Sequence, residues 1–402
     1  MRHRVMVLGA AVLALVLGGV GLAFRLWLRP SAWGYGAPAR GDHVLAAGSS
    51  VGDGDQYVVV LDLGNPANVL ARFRGERPLW SPDGALLAFS RADNRGVTQI
   101  GIWDSRTRRA RMITTHAAMA WHNSWSPEGD RLYYGTQSGG WEPHWLQVWS
   151  VEAATRAVKH LSVGDRGEST PLASPDGKLI AFDRARSRGD AWGPRDVWTM
   201  TRDGGNRHRL TTARDFGTER AWSPDGQWVY YTSSEGASSA ALAKLAKWAY
   251  HPGRPGSREG IARLLGGTET LLSIYRVRPD GAGRQVVVEG HPVAQMARCA
   301  PQGGLICYVV PGVSGSADVW VARMDGSAPR KVSMSATHNF GPVWSPDGAT
   351  LAWLRAGTGP DSGVVVHGLA SGRETVVAHN DAQAIYTSVD WRPPMQTKQP
   401  NG

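Results

Sequence analysis

The sequence predicts an all-β protein: a seven-bladed β-propeller whose N- and C-terminal strands share one blade, preceded by one transmembrane helix. Three observations predict it. A tryptophan-centred motif returns at near-constant spacing, tight-turn dipeptides recur at fixed places inside each repeat, and twenty uncharged residues lie near the N-terminus.

The repeat comes first, because a period of 40–50 residues decides architecture before any local propensity does. LWSPDGALLAF begins at Leu79, SWSPEGDRLYY at Ser124, ASPDGKLIAF at Ala173, AWSPDGQWVYY at Ala221 and VWSPDGATLAW at Val343. With the Trp of W-S-P as marker, or whatever replaces it, the positions are Trp80, Trp125, Ala173, Trp222, Cys299, Trp344 and Trp391. The steps between them are 45, 48, 49, 77, 45 and 47, so one unit carries an insertion. Such a period fits a four-stranded propeller blade.

Each unit reads as an inner strand ending in WSP, a turn, a second strand, a loop, a third strand, a turn and an outer strand. The first turn is Pro-Asp-Gly, in which Pro fixes φ and Asp-Gly accepts the positive φ that a tight hairpin needs. In the third unit KLIAFDR is the second strand, DVWTM the third, Asp203-Gly204 the second turn, and HRLTT closes the unit.

The two ends complete each other. Before Trp80 the chain has three strand-like runs, His43–Ser49, Tyr57–Leu63 and Val69–Phe73, with no WSP strand ahead of them. At the other end Tyr386–Trp391 is an inner strand with no strands after it. A seventh blade built from both termini closes the ring and removes an exposed sheet edge. A six-bladed ring with a loose N-terminal hairpin is the alternative.

The motif WSPDG-x-x-[IL]-A-[FW] and the stretch VWTMTRDGGNRHRLT resemble the repeats of TolB-like propellers. They are also similar to the propeller domains of dipeptidyl-peptidase and prolyl-oligopeptidase relatives. The resemblance covers nearly all of residues 42–392 and implies the fold; propellers host many unrelated roles. Only the propeller portion of these families is expected, without the N-terminal α/β domain of the TolB family or the hydrolase domain of the peptidases.

Outside the propeller, Arg2, His3 and Arg4 precede Val5–Phe24, and Arg25 and Arg29 follow. Twenty apolar residues in a helix rise about 30 Å, enough to cross a bilayer core; a cleaved signal peptide is the alternative. The expected organisation is therefore an anchor over residues 1–29, a linker over 30–41, the propeller over 42–393 and a tail over 394–402. A helical insertion is expected at about 235–268, where ASSAALAKLAKWAY is alanine-rich. The first 40 residues carry five arginines and no acid, leaving 39 basic and 34 acidic side chains in residues 41–402, a net +5. That excludes the dense basic stripe of a nucleic-acid binder.

Function is expected on one face. The loop between second and third strands and the loop entering the next inner strand emerge together, and all the length variation falls on them, where binding usually lives. Candidate binding residues there are Trp141, Trp145 and Trp192, which could stack on sugars or anchor a protein, and Lys244, Lys247 and Trp248 of the insertion. Polar residues entering the inner strands, Glu76, His116, His122, Glu168, Glu219, His291, His338 and His379, are expected to ring the channel mouth.

The reading is a monomeric, cell-membrane-anchored, single-pass protein with its propeller on the extracytoplasmic side. It binds a protein partner or envelope polysaccharide, needs no cofactor and binds no nucleic acid. The alternative is a metal-dependent saccharide lyase or hydrolase, since oligogalacturonide lyases are propellers with histidine metal ligands; no His-x-His or His-Glu-x-x-His spacing supports it. Gly48–Gly52 matches G-x-S-x-G but has no helix behind it. Cys299 takes a Trp position and Cys307 lies eight residues on, across the APQGG turn. The two should be nearly opposite in a hairpin, so a disulfide is expected in place of the missing aromatic, with two buried thiols as the alternative.

Overall fold

A computed structural model describes residues 44–51, 55–63, 69–137, 146–164, 166–186, 195–211, 218–233, 273–289, 295–311, 316–335, 337–381 and 384–395. They form seven four-stranded antiparallel sheets, each a blade. From the first complete repeat onward, the inner strands are Glu76–Trp80, Met119–Trp125, Glu168–Ala173, Thr218–Trp222, Gln295–Cys299, Asn339–Trp344 and Ala384–Trp391. Blades 1 to 7 are numbered in that order.

Blade 7 is assembled from both ends. Ala384–Trp391 pairs with Val44–Val51, which pairs with Gln56–Asp62, which pairs with Val69–Arg74. The register sets Leu45 opposite Trp391 and Val51 opposite Ala384. The seven-bladed expectation holds, and the strands differ from those read in the sequence by one or two residues at their ends. Closure is reinforced at the blade 7–blade 1 seam. There the Asp390 carboxylate accepts the Trp80 backbone N–H at 2.8 Å, and within blade 7 the Arg392 backbone N–H donates to Val44 O at 2.9 Å. The Arg392 guanidinium lies over the Trp80 ring.

The core is divided into seams between neighbouring blades. Leu45, Val59, Val389 and Trp391 of blade 7 pack on Val343, Leu354 and Val364 of blade 6; Tyr133 and Val148 of blade 2 pack on Ile180, Phe182 and Met200 of blade 3. The recurring tryptophan belongs to these seams. Trp80, Trp125, Trp222 and Trp344 are buried. Three of their indoles donate to the preceding inner strand: Trp125 to Leu79 O at 3.1 Å, Trp222 to Leu172 O at 3.0 Å, Trp344 to Arg298 O at 2.9 Å. The acceptor is backbone, so blades with Ala173 or Cys299 at the Trp position still receive their neighbour's indole.

The rest of the motif is turn chemistry. Ser81 Oγ donates to Asp83 Oδ1 at 2.6 Å, Asp83 accepts the Ala85 N–H, Ser81 Oγ accepts the Leu86 N–H, and Gly84 supplies φ 65°. The set repeats at Ser174–Asp176 and Ser345–Asp347. In blade 2, where Glu128 replaces the Asp, Ser126 Oγ donates to Asp130 instead. These turns make one face of the ring uniform, here the turn face. The opposite, loop face carries the connections of unequal length.

The residues expected to form the transmembrane helix and the helical insertion lie outside the described ones. Among the described residues no helix is long and apolar enough to cross a membrane.

Candidate functional site

The inner strands define the channel, and each breaks its register in mid-strand. The shifts fall between Glu76 and Leu79, His122 and Ser124, Ser169 and Leu172, Thr218 and Arg220, Gln295 and Arg298, and Phe340 and Val343; in blade 7 the shift falls between Gly48 and Ser49 of its second strand. In blades 1, 3 and 6 a proline, Pro78, Pro171 or Pro342, sits at the shift. The residue before it has positive φ: Arg77 56°, Thr170 52°, Gly341 62°. Proline has no N–H for a ladder and disfavours helical φ/ψ in its predecessor, so a bulge on a channel-edge strand is where it fits.

Three of the residues expected at the channel mouth, Glu76, His122 and Glu168, are buried instead. His122 is buried, its Nε2 2.6 Å from Arg77 O and its Nδ1 3.3 Å from Ser90 Oγ. Glu168 has no exposed surface and accepts from Arg207 at 2.7 Å, with Arg184 at 3.5 Å. Glu76 is also buried. His116 is half-buried, and His338 and His379 are exposed, His338 beside the Phe340 ring. Glu219 falls on the inner strand of blade 4, with its side chain outside the described ones. Trp141, Trp145, Trp192, Lys244, Lys247, Trp248 and His291 all lie outside the described residues. Among the described residues, no three of His, Cys, Asp and Glu come together as a metal site.

The disulfide is also corrected. Cys299 and Cys307 are free and buried. The register sets Cys299 opposite Ile306 and Cys307 opposite Arg298, so the two thiols point to opposite faces of the blade. Cys299 packs toward blade 4 and Cys307 toward blade 6. Burial pushes both thiols up, Cys307 to about 12.

Charged residues that the sequence reading missed gather around Glu168 in blade 3. Asp183 accepts from Arg220 of blade 4 and from Thr170 Oγ1 at 2.7 Å, and Arg220 also donates to Thr170 O. Asp196 accepts from Arg186, Arg209 and Thr211, each at 2.9 Å. Arg195 donates to Gly167 O and Ser169 Oγ at 3.0 Å. Among the described residues, six guanidiniums (Arg184, Arg186, Arg195, Arg207, Arg209, Arg220) meet three carboxylates (Glu168, Asp183, Asp196). Arg186 and Arg209 keep 23% and 35% of their side chains in solvent. An interleaved R-x-R-x-R pattern would have been the signal: Arg184 and Arg186 leave one strand end, Arg207 and Arg209 another.

A second cluster links blades 1 and 2. Burial pushes the Tyr134 phenol up, and its hydroxyl is hydrogen-bonded to His116 Nε2 at 2.6 Å. The Trp149 ring lies between His116, at 5.0 Å, and His160, at 4.3 Å. Desolvation holds both imidazoles below their ordinary value. This cluster is a seam; in the arginine group, Arg186 and Arg209 are the most exposed and are the part of the loop face able to hold an anionic ligand.

A family model for the TolB beta propeller domain matches residues 49–191, so the resemblance carried by the WSPDG repeats holds over that stretch. An uncharacterized protein of Agrobacterium fabrum is 26% identical over 196 residues, which is 48% of this chain and 60% of that protein. The chain spans 60% or less of the length of the curated relatives it matches. Among solved structures, an oligogalacturonate lyase from Vibrio parahaemolyticus superposes with TM-score 0.59 at 13% identity, covering 82% of this chain and 86% of that one. The β-propeller domain of the trilobed protease from Pyrococcus furiosus gives 0.58 at 12%, covering 88% and 98%. At these identities the likeness is one of fold.

Proposed function

We propose that this protein is a non-catalytic, extracytoplasmic binding propeller, held at the membrane by Val5–Phe24, that recognises a protein partner or cell-envelope glycan on its loop face. The observation that carries the reading is the contrast between the faces. One is fixed by repeated Ser-Asp-Gly hydrogen bonding. The other gathers every long connection and the partly exposed Arg186 and Arg209 of blade 3. A rigid ring with variable loops is suited to recognition, and partly exposed guanidiniums favour carboxylate- or phosphate-bearing surfaces.

The test compares recovery of partners from an envelope extract by residues 41–402 and by two variants. One lacks residues 237–266, bridged by Gly-Ser; the flanking strands Val229–Ser233 and Ser273–Val277 pair directly, so folding should persist. The other is Arg186→Gln/Asp196→Asn/Arg209→Gln, which removes charge without stranding a buried carboxylate. Weaker recovery with either, and a steep fall with added salt, supports the reading. Undiminished recovery with both removes this face. A stoichiometric metal in the purified protein would instead favour the saccharide-lyase chemistry named for the Vibrio neighbour.

A further inference from the structure

The ring has an orientation built into its closure. In blades 1 to 6 the inner strand runs from loop face to turn face and is joined to the second strand by a short turn. In blade 7 that join is missing. Its inner strand ends at Trp391, its second strand starts at Val44, and the two meet through Arg392 N–H to Val44 O at 2.9 Å. The chain preceding Val44 and the chain following Arg392 therefore both leave from the turn face, at the place where the other blades have their turn.

We infer that the propeller hangs from its membrane by the turn face and presents the loop face away from that bilayer, so that its partner approaches from the aqueous side. This rests on the proposed anchor. The distances favour it. Phe24 and Val44 are twenty residues apart. A chain of that length reaches about 65 Å at most. The inner strand Ala384–Trp391 crosses the ring in eight residues, or roughly 25 Å, and four strands with half a channel make a radius of about 20 Å. Turning the loop face onto the bilayer would add a path around the rim and down the side of about 45 Å, most of that reach, whereas the turn-face arrangement needs no such detour. The partly exposed Arg186 and Arg209 of blade 3 are thereby turned away from the lipid headgroups of the protein's own membrane.

The test uses the full chain in vesicles of phosphatidylethanolamine and phosphatidylglycerol carrying an acceptor dye on lipid. A donor dye is placed on one introduced cysteine in blade 6: Thr358→Cys, exposed on the loop face, or Ser371→Cys, exposed at the turn face. Cys299 and Cys307 are buried and stay unlabelled. Energy transfer to the lipid should be several-fold higher from position 371 than from position 358. Equal or reversed transfer, with the protein still floating with the vesicles, overturns the orientation and leaves the anchor standing. A full chain that does not float with vesicles removes the anchor and the orientation together.

Discussion

Arg77, Thr170 and Gly341 stand at one position of three different inner strands, and each holds a positive φ before a proline. Two of the three carry a side chain that disfavours this region. Gly341 has open space where a Cβ would go, so Gly341→Ala isolates the backbone term. It should cost about 1–2 kcal/mol in chemical denaturation. Trp125→Phe should keep most of the burial and lose the bond to Leu79 O, costing about 1–2 kcal/mol. A cost near zero would mean that the indole N–H contributes nothing to the seam. Histidines add a pH dependence. His116, His160 and His367 are held below their ordinary value by desolvation, so the unfolded chain takes up protons first. Stability should be full above about pH 6.5 and fall as the pH drops through it. Melting temperatures at pH 7.5 and 5.5 measure this, and replacing the three by Gln should flatten the difference.

Elements were legible in the sequence where one residue type does one job. Pro-Asp-Gly marked the first turn of blades 1, 3, 4 and 6, and the Trp position marked the end of every inner strand, because those turns and seams reuse one chemistry. The bulges were not legible. Each absorbs an extra residue, which shifts the alternation of faces, and His122 and Glu168 are buried although their spacing placed them at a mouth. A one-residue offset also undid the expected disulfide: Cys307 faces Arg298, and Cys299 is its diagonal neighbour on the other face. The blade 3–blade 4 seam shows what such a buried residue does. Arg220 and Asp183 pair there, both buried. Arg220→Leu alone strands a buried carboxylate and should cost about 3–5 kcal/mol, whereas Arg220→Leu/Asp183→Leu should lie much nearer the parent. Additive losses in this pair would show that the two do not interact.

For the whole molecule, closure is the decisive contact. Val389 and Trp391 are buried in the blade 6–blade 7 seam, and the last strand pairs along most of Val44–Val51. Ending the chain after Ala384 should remove on the order of 5 kcal/mol of burial and ladder bonding, a large share of a domain's stability of about 5–15 kcal/mol. The shortened protein should melt far below the parent or aggregate; an unchanged melting temperature would mean that the ring is held shut by its other seams.

The same closure fixes an order of events during synthesis. Leu45 and Trp391 face each other in one sheet, yet one leaves the ribosome among the first residues and the other among the last. Blades 1 to 6 are local hairpins that can form as their repeats appear, each waiting only for its neighbour. Val44–Val51, Gln56–Asp62 and Val69–Arg74 must wait for the end of the chain with one edge open. That waiting edge is the stretch on which a nascent chain is exposed to wrong pairing, and a chaperone or a slow ribosome would act there before anywhere else.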